Sequence, residues 1–238
     1  EEALKKDFLG GIMFKMGEKS QKVKEVQEWL YLNGYKVVID GVYGKATKKA
    51  IERYMEDNSC IDDEITDNVI KDITSQITNM ENDIIATNAE TAADIAKIHW
   101  KYSPKEVGGE NCGPWVRYYM KGVEGEPWCA GFVSTIMKQF LKKIGKDKFF
   151  NWHKSCYLLL ESCKNAKWIV DNPSVGSIFF VMGKNGLPRH VGIVTKIVED
   201  VFYTIEGNTN DKGEREGYEV CKRIRALSGA YKFATVRV

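Results

Sequence analysis

One cysteine of the chain stands where a nucleophile would stand. Cys129 follows Pro127, and the apolar residues after it recur at helical spacing as far as Leu141, which places the thiol in the first turn of a predicted helix. The unpaired N–H groups and the positive dipole end of a helix start stabilise a thiolate, so we expect a lowered pKa for Cys129. The alternative interpretation is a small buried apolar residue.

A cysteine nucleophile needs a base within hydrogen-bond reach, and the base needs a group that orients it. His190 lies at the start of a predicted strand. Glu206 and Asn208 lie two positions apart on the following predicted strand and therefore on one face. These residues form a candidate catalytic set for acyl transfer, in which either Glu206 or Asn208 orients the histidine.

The secondary-structure elements that must position this set are a helix followed by strands. A helix is predicted from Cys129 onward, whereas strand patterns follow over 176–182, 190–197 and 201–208. Short turns such as Lys184-Asn185-Gly186 separate these strands, which predicts neighbours in an antiparallel sheet. The nucleophile helix is thus expected to pack on a sheet that carries the base.

Three segments with these residues resemble the CHAP domain, the cysteine- and histidine-dependent amidohydrolase/peptidase branch of the papain-like superfamily. They are Gly125-Glu126-Pro127-Trp128-Cys129-Ala130-Gly131-Phe132-Val133, Arg189-His190-Val191-Gly192-Ile193-Val194 and Ile205-Glu206-Gly207-Asn208-Thr209-Asn210. The resemblance covers roughly residues 89–238. It implies an α+β fold with Cys129 as nucleophile, His190 as general base and then acid, and Glu206 as the orienting group. Asn208 is then an accessory polar group or the orienter in place of Glu206.

In the reaction that the resemblance implies, the Cys129 thiolate attacks an amide carbonyl and its backbone N–H donates to the oxyanion. Asn111 is a candidate for the second oxyanion donor, or alternatively braces its loop. Trp115 and Trp128 are candidates to line a substrate groove, or alternatively are core aromatics. Some relatives hold calcium just before the nucleophile, but residues 116–128 contain two glutamates and no aspartate, so we expect no calcium there. The alternative is weak binding by the two carboxylates and backbone carbonyls. No other metal and no cofactor is expected.

The N-terminal segment predicts a helix, a tight turn and a second helix over 17–58, with Ser20 as the first cap. Val26-Gln27-x-x-Leu30, Asn33-Gly34-Tyr35 and Asp40-Gly41-Val42-Tyr43-Gly44-x-x-Thr47-x-x-Ala50 resemble a small three-helix peptidoglycan-binding domain. A third helix is predicted from Ile65 to Ile77. The alternative for the motif residues is that they only shape turns.

These observations predict a three-helix peptidoglycan-binding domain over 1–78, a linker over 79–88 and a CHAP catalytic domain over 89–238. Charge divides the chain of 238 residues in a similar way. Residues 1–103 carry 14 Lys+Arg and 19 Asp+Glu, whereas residues 104–238 carry 21 and 14. We expect the basic half to be attracted to polyanionic bacterial walls.

Composition excludes several other classes of protein. The net charge of +2 argues against a nucleic-acid binder, and no apolar stretch approaches the length of a membrane span. The six cysteines include no Cys-x-x-Cys pair, so a structural zinc site is not expected and free thiols are favoured over disulfides. Cys156 and Cys163 are predicted in the core, and His99 and His153 are interpreted as packing or surface residues.

The two resemblances together predict an endolysin-like peptidoglycan hydrolase, with an N-acetylmuramoyl-L-alanine amidase favoured slightly over a peptide endopeptidase. No signal-peptide pattern follows the charged first residues, which fits synthesis in the host bacterial cytoplasm and release by a phage holin. The alternatives are an inactive wall-binding or phage structural protein, and a papain-like amidase that acts on a non-wall substrate.

Overall fold

The structure is a computed structural model that describes residues 14–60, 62, 64–210 and 217–236. The chain divides into two compact units between Thr78 and Asn79. Most of the predicted linker, 79–88, is helical, and these residues belong to the second unit.

The first unit is built from short helices around a small apolar core. Its helices are α1 Gln21–Leu32, α2 Lys45–Asp57 and α3 Asp67–Ile73, and α4 Gln76–Ala86 begins near its end. Ser20 caps α1, because its hydroxyl accepts a hydrogen bond from the N–H of Val23. The core side chains include Val23, Leu30, Ile51 and Ile73.

The single third helix predicted from Ile65 to Ile77 is wrong, since two helices occupy this region. The Thr74 hydroxyl donates to the carbonyl of Ile70, 3.0 Å away, at the end of α3. A threonine hydroxyl that bonds back to the helix competes with continuation of the backbone ladder, and α4 begins two residues later.

Gln27 on α1 organises the turns of the first unit. Its Nε2 donates to Asp40 Oδ1 at 2.9 Å, to the Val42 carbonyl at 3.1 Å and to Thr47 Oγ1 at 3.0 Å. Its Oε1 accepts from the N–H groups of Asp40 and Gly41, and Gly41 has a φ of +74° that favours glycine. The predicted motif residues Asp40, Gly41 and Thr47 therefore shape the turns around a buried glutamine.

The second unit is an α+β structure, which confirms the predicted fold class. Its further helices are α5 Ala92–Lys101, α6 Pro114–Tyr119, α7 Cys129–Lys143 and α8 Cys156–Asn165. Its strands are β1 Ile169–Val170, β2 Ile178–Met182, β3 Pro188–Val198, β4 Val201–Thr209, β5 Glu219–Ala226 and β6 Tyr231–Ala234. All strand pairs are antiparallel, in the order β1-β6-β2-β3-β4-β5.

Helix α7 packs against β3 and β4, as the sequence predicts. Gly207 on β4 lies where a Cβ atom would come within 2.7 Å of the Trp128 ring and 2.8 Å of the Phe132 ring. A glycine here lets the helix approach the strand closely. The start of α7 is thereby held next to the sheet positions that carry His190 and Glu206.

Within the described parts of the chain, no helix combines the length and the apolar content needed to cross a membrane. The same residues contain no group of three or more His, Cys, Asp or Glu side chains arranged to hold a metal ion.

Candidate active site

The thiol of Cys129 lies at the first residue of α7, as predicted. The side chain is 6% exposed. The N–H groups of a first helical turn have no partner inside the helix, so the backbone N–H of Cys129 is available to an oxyanion. Oδ1 of Asn208 accepts a hydrogen bond from the N–H of Trp128, one residue earlier, and this bond ties the helix start to β4.

His190 and Glu206 meet on the sheet, below the helix start. Nε2 of His190 and Oε2 of Glu206 lie 2.7 Å apart, and both side chains are buried. Of the two orienting groups predicted, Glu206 is therefore the one placed at the imidazole. Asn208 lies in a register shift of β4 with a φ of +56°, and it is placed at the start of α7.

The other imidazole nitrogen, Nδ1 of His190, is buried and makes no hydrogen bond within the described residues. The Cys129 sulfur lies near enough to this ring for each group to alter the pKa of the other. A histidine held by a carboxylate at one nitrogen and open at the other can take a proton from a neighbouring thiol.

Glu206 is held by further residues that sequence reasoning missed. Nε and Nη2 of Arg225 on β5 lie 2.7 and 2.6 Å from its two oxygens, and Oγ1 of Thr204 donates to Oε1 at 2.5 Å. The guanidinium also lies over the Phe179 ring, 5.0 Å from its centroid. No local motif marks Arg225, because its place depends on the register of β5 against β4.

These contacts lower the pKa of Glu206 and raise the pKa of His190. Burial disfavours the Glu206 carboxylate, but its bonds to Arg225 and His190 outweigh burial and lower its pKa to about 2. Burial alone would lower the pKa of His190, yet the neighbouring Cys129 and Glu206 raise it to about 9. The imidazolium is thus strongly stabilised next to an ionised Glu206.

The lowered pKa predicted for Cys129 is wrong for this arrangement. The Cys156 sulfur lies 3.6 Å from the Cys129 sulfur, and this contact together with burial raises the pKa of Cys129, although His190 acts in the opposite direction. A second thiol and a dry environment both disfavour the anion. Cys156, predicted in the core together with Cys163, is half-buried because it is the first residue of α8, whereas Cys163 is buried.

A cleft with a volume of about 290 Å³ opens above Cys129. Its walls come from the α7 start, the α8 start and the residues just before His190. The lining residues are Glu126, Pro127, Cys129, Lys154, Ser155, Cys156, Tyr157, Leu187, Pro188, Arg189 and Asn208. The nucleophile candidate therefore faces a concave surface that carries both charged and apolar groups.

The three predicted substrate-binding residues lie elsewhere. Trp115 and Trp128 are fully buried and stack on either side of Tyr119, at 6.2 and 5.5 Å between ring centroids, so the structure favours their alternative role as core aromatics. The N–H of Asn111 donates to Oε2 of Glu106, whose Oε1 accepts from the Trp128 indole. Asn111 is thus placed to brace the loop, which is the alternative stated for it.

The remaining histidines are not part of this cluster. His99 is buried between Tyr119 and Gln139, at 2.9 and 2.7 Å, and burial lowers its pKa to about 4. His153 lies within the loop that precedes α8, and burial lowers its pKa as well. Of the glutamates considered for calcium, Glu124 accepts from Arg117 at 2.8 Å and Glu126 pairs with Lys154.

Comparison with protein families gives two matches. The model of the CHAP domain matches residues 118–208, a range that includes Cys129, His190, Glu206 and Asn208. The model of the peptidoglycan binding domain matches residues 19–59. No curated protein and no solved structure gave a significant match.

Proposed function

We propose that this chain cleaves an amide bond of peptidoglycan by cysteine nucleophilic catalysis. It is a peptidoglycan hydrolase in which a peptidoglycan-binding domain precedes a CHAP domain. The observation that carries the proposal is the placement of His190, held by Glu206 at Nε2 and turned with Nδ1 toward the Cys129 side of the site. Cys129 lines the cleft, and the buried His190 and Glu206 lie behind it. A nucleophile, a base and an orienter are the parts that acyl transfer through a thioester needs.

In the proposed reaction, the neutral imidazole of His190 takes the proton of the Cys129 thiol at Nδ1 as the sulfur attacks the amide carbonyl. Because the pKa of His190 is raised to about 9, this neutral form becomes more populated as the pH rises toward 9. The N–H of Cys129 donates to the oxyanion at the start of α7. The imidazolium then protonates the leaving amine, and the C–N bond breaks to leave a thioester. Water activated by His190 attacks this thioester, and the freed thiol recovers its proton.

Glu206 stabilises the imidazolium that forms in both half-reactions. We assign Arg225 and Thr204 as positioning residues, because they hold the carboxylate while Oε2 faces the imidazole. A carboxylate with a pKa of about 2 stays ionised throughout the working pH range.

Between the two classes of amide bond, we favour the bond between N-acetylmuramic acid and L-alanine. Tyr157, half-exposed on the cleft wall, supplies an aromatic ring that a sugar could contact, while Arg189 supplies positive charge for the carboxylates of a stem peptide. A cleft with both kinds of surface suits a bond that joins sugar to peptide.

Digestion of purified sacculi tests this function. The intact protein and a Cys129→Ala variant are incubated with sacculi, and the soluble products are identified by mass spectrometry. New N-terminal alanine with unmodified glycan is the expected result, whereas cleavage within the stem peptide would identify an endopeptidase. Absence of soluble fragments would count against a hydrolase, and equal release by Cys129→Ala would overturn the assignment of the nucleophile.

For the biological setting we propose an endolysin, made in a bacterial cytoplasm and released by a holin. Support comes from the combination of a wall-binding and a wall-cleaving domain in one chain. Expression in a bacterium with a susceptible wall, with and without a co-expressed holin, tests it. We expect lysis only when the pore is present, and lysis without it would contradict this route.

A further inference from the structure

The cleft contains a second thiol that the proposed mechanism does not use. Cys156 Sγ lies 3.6 Å from Cys129 Sγ, although the two residues are 27 positions apart and belong to different helices. Both are the first residues of their helices, and both line the cleft. The pair is therefore open to a small reagent that enters from solvent.

We propose that Cys129 and Cys156 form a modification site at which a hydroperoxide joins them in a disulfide. The sulfur separation is close to what the bond needs, since the two sulfurs must approach from 3.6 Å to about 2.05 Å. A change of about 1.5 Å is within the range of small side-chain rotations at the two helix starts. The half-buried Cys156 gives the oxidant access at the rim.

The chemistry balances in two steps. One thiol gives up its proton as its sulfur attacks a peroxide oxygen, the O–O bond breaks, and the sulfur becomes a sulfenic acid as hydroxide or alkoxide leaves. The second thiolate attacks the sulfenic sulfur, the S–O bond breaks, and the S–S bond forms as hydroxide leaves. The two thiol protons convert the departing groups to water or alcohol, so two thiols lose two electrons to one peroxide.

This bond would place the proposed nucleophile in a reversible resting form. A Cys129 sulfur bonded to Cys156 cannot attack a carbonyl, and it is also protected from oxidation to the irreversible sulfinic acid. A dithiol reductant would return both thiols. The effect on activity rests on the proposed function, whereas formation of the disulfide does not.

The test is oxidation of the full chain with a small molar excess of hydrogen peroxide, followed by blocking of free thiols and peptide mapping without reduction. We expect an intact mass lower by about 2 Da and a peptide pair that links positions 129 and 156. Sacculus digestion should fall at least about tenfold and return after dithiothreitol. Oxidised protein without this linked pair would overturn the proposal, whether or not the chain proves to be a hydrolase.

Variants separate the pair from the other thiols. Cys156→Ser and Cys156→Ala should give no linked peptide, and dithiothreitol should fail to restore their activity because Cys129 then proceeds to sulfinic acid. Cys112→Ser removes another half-buried thiol of the same unit and should behave like the parent chain. Full recovery of both Cys156 variants after peroxide would contradict protection by this partner. If neither variant folds, the peptide map of the parent chain decides the proposal alone.

Discussion

Two buried polar networks, one in each unit, differ in how completely their atoms are partnered. In the first unit, both ends of the Gln27 amide are engaged, with Nε2 donating to Asp40, Val42 and Thr47 and Oε1 accepting from two backbone N–H groups. In the second unit, Glu206 is similarly enclosed, but Nδ1 of His190 is buried and lacks a hydrogen-bond partner among the residues described.

We interpret the Gln27 network as one that stabilises the fold and the His190–Glu206 network as one that can take part in a reaction. A buried polar atom without a partner costs about 1–3 kcal/mol, so an uncompensated one needs an explanation. At His190 the explanation that we propose is the neighbouring thiol, toward which the open nitrogen can act as a base. The saturated Gln27 network has no such open atom and is expected to contribute to stability alone.

The largest expected effect comes from removing the thiol. Cys129→Ala should lower the rate of amide cleavage by at least about a thousandfold, because no other group of the site replaces the nucleophile. The measurement is release of soluble muropeptides, alongside a thermal unfolding curve that should stay near that of the parent chain. Cys163→Ala is a matched control in the α8 core, and it should lower stability while the folded fraction keeps its activity.

Exchange of the carboxylate tests which residue orients the imidazole. Glu206→Gln keeps the shape but removes the charge that stabilises the imidazolium, so we expect a loss in kcat of about a hundredfold and a lower pKa on the pH–rate profile. Asn208→Ala should cost less, about tenfold, because Asn208 acts through the Trp128 N–H at the start of α7. The reverse order of the two losses would assign the orienting role to Asn208.

The Gln27 network can be broken without touching the site. Gln27→Ala leaves several turn donors and acceptors without their partner and should destabilise the first unit by about 2 kcal/mol, or about thirtyfold in its unfolding equilibrium. Hydrogen exchange of residues 14–60 in the full chain measures this. Gln27→Glu keeps the acceptor of the N–H groups but sets a carboxylate oxygen against Asp40 Oδ1 and the Val42 carbonyl, so it should destabilise the unit at least as much as Gln27→Ala. Cleavage of a small soluble muropeptide should not change, and a large change there would contradict the separation of roles.

Acid should weaken the second unit through Glu206. Its pKa is lowered from 4.5 to about 2, so the ionised carboxylate contributes stability above pH 4.5, and this contribution is lost as the pH falls from 4.5 toward 2. Thermal unfolding between pH 6 and pH 2 measures the loss of stability.

Arg225→Ala removes the main partner of the Glu206 carboxylate, so we expect a smaller acid-dependent loss of stability and about tenfold lower activity at neutral pH. Arg225→Lys keeps the charge without the fork and should be intermediate. If stability and activity of Arg225→Ala depended on pH as they do in the parent chain, the positioning role of Arg225 would be contradicted.

The smallest effect concerns long-range charge. The basic balance of residues 104–238 predicts attraction to polyanionic walls, so raising the salt from about 50 to 500 mM should slow sacculus digestion several-fold. Digestion of a small neutral muropeptide under the same conditions is the control and should change little. Equal responses of the two substrates would remove the electrostatic contribution.

Local sequence patterns were sufficient for the α+β fold, for the helix that begins at Cys129 and for the strands that carry His190 and Glu206, because periodicity and turn residues determine such elements. They were insufficient for Arg225, since a pair between β4 and β5 depends on strand register. The pKa of Cys129 was predicted from the helix start alone and missed Cys156, which arrives from another helix. The roles of Trp115 and Trp128 remained ambiguous, because a tryptophan in the sequence can equally well line a groove or pack in the core.

The close contact at Gly207 limits how this enzyme can be redesigned. A side chain at this position would collide with the rings of Trp128 and Phe132, and one at Gly192 would collide with Phe179 and Glu206. Substitution at either glycine would therefore displace the neighbouring side chains and disturb the alignment of the site. Tyr157 and Leu187, about half-exposed on the cleft wall, have room to vary. Libraries that aim to change wall specificity should diversify that rim and leave the two glycines untouched.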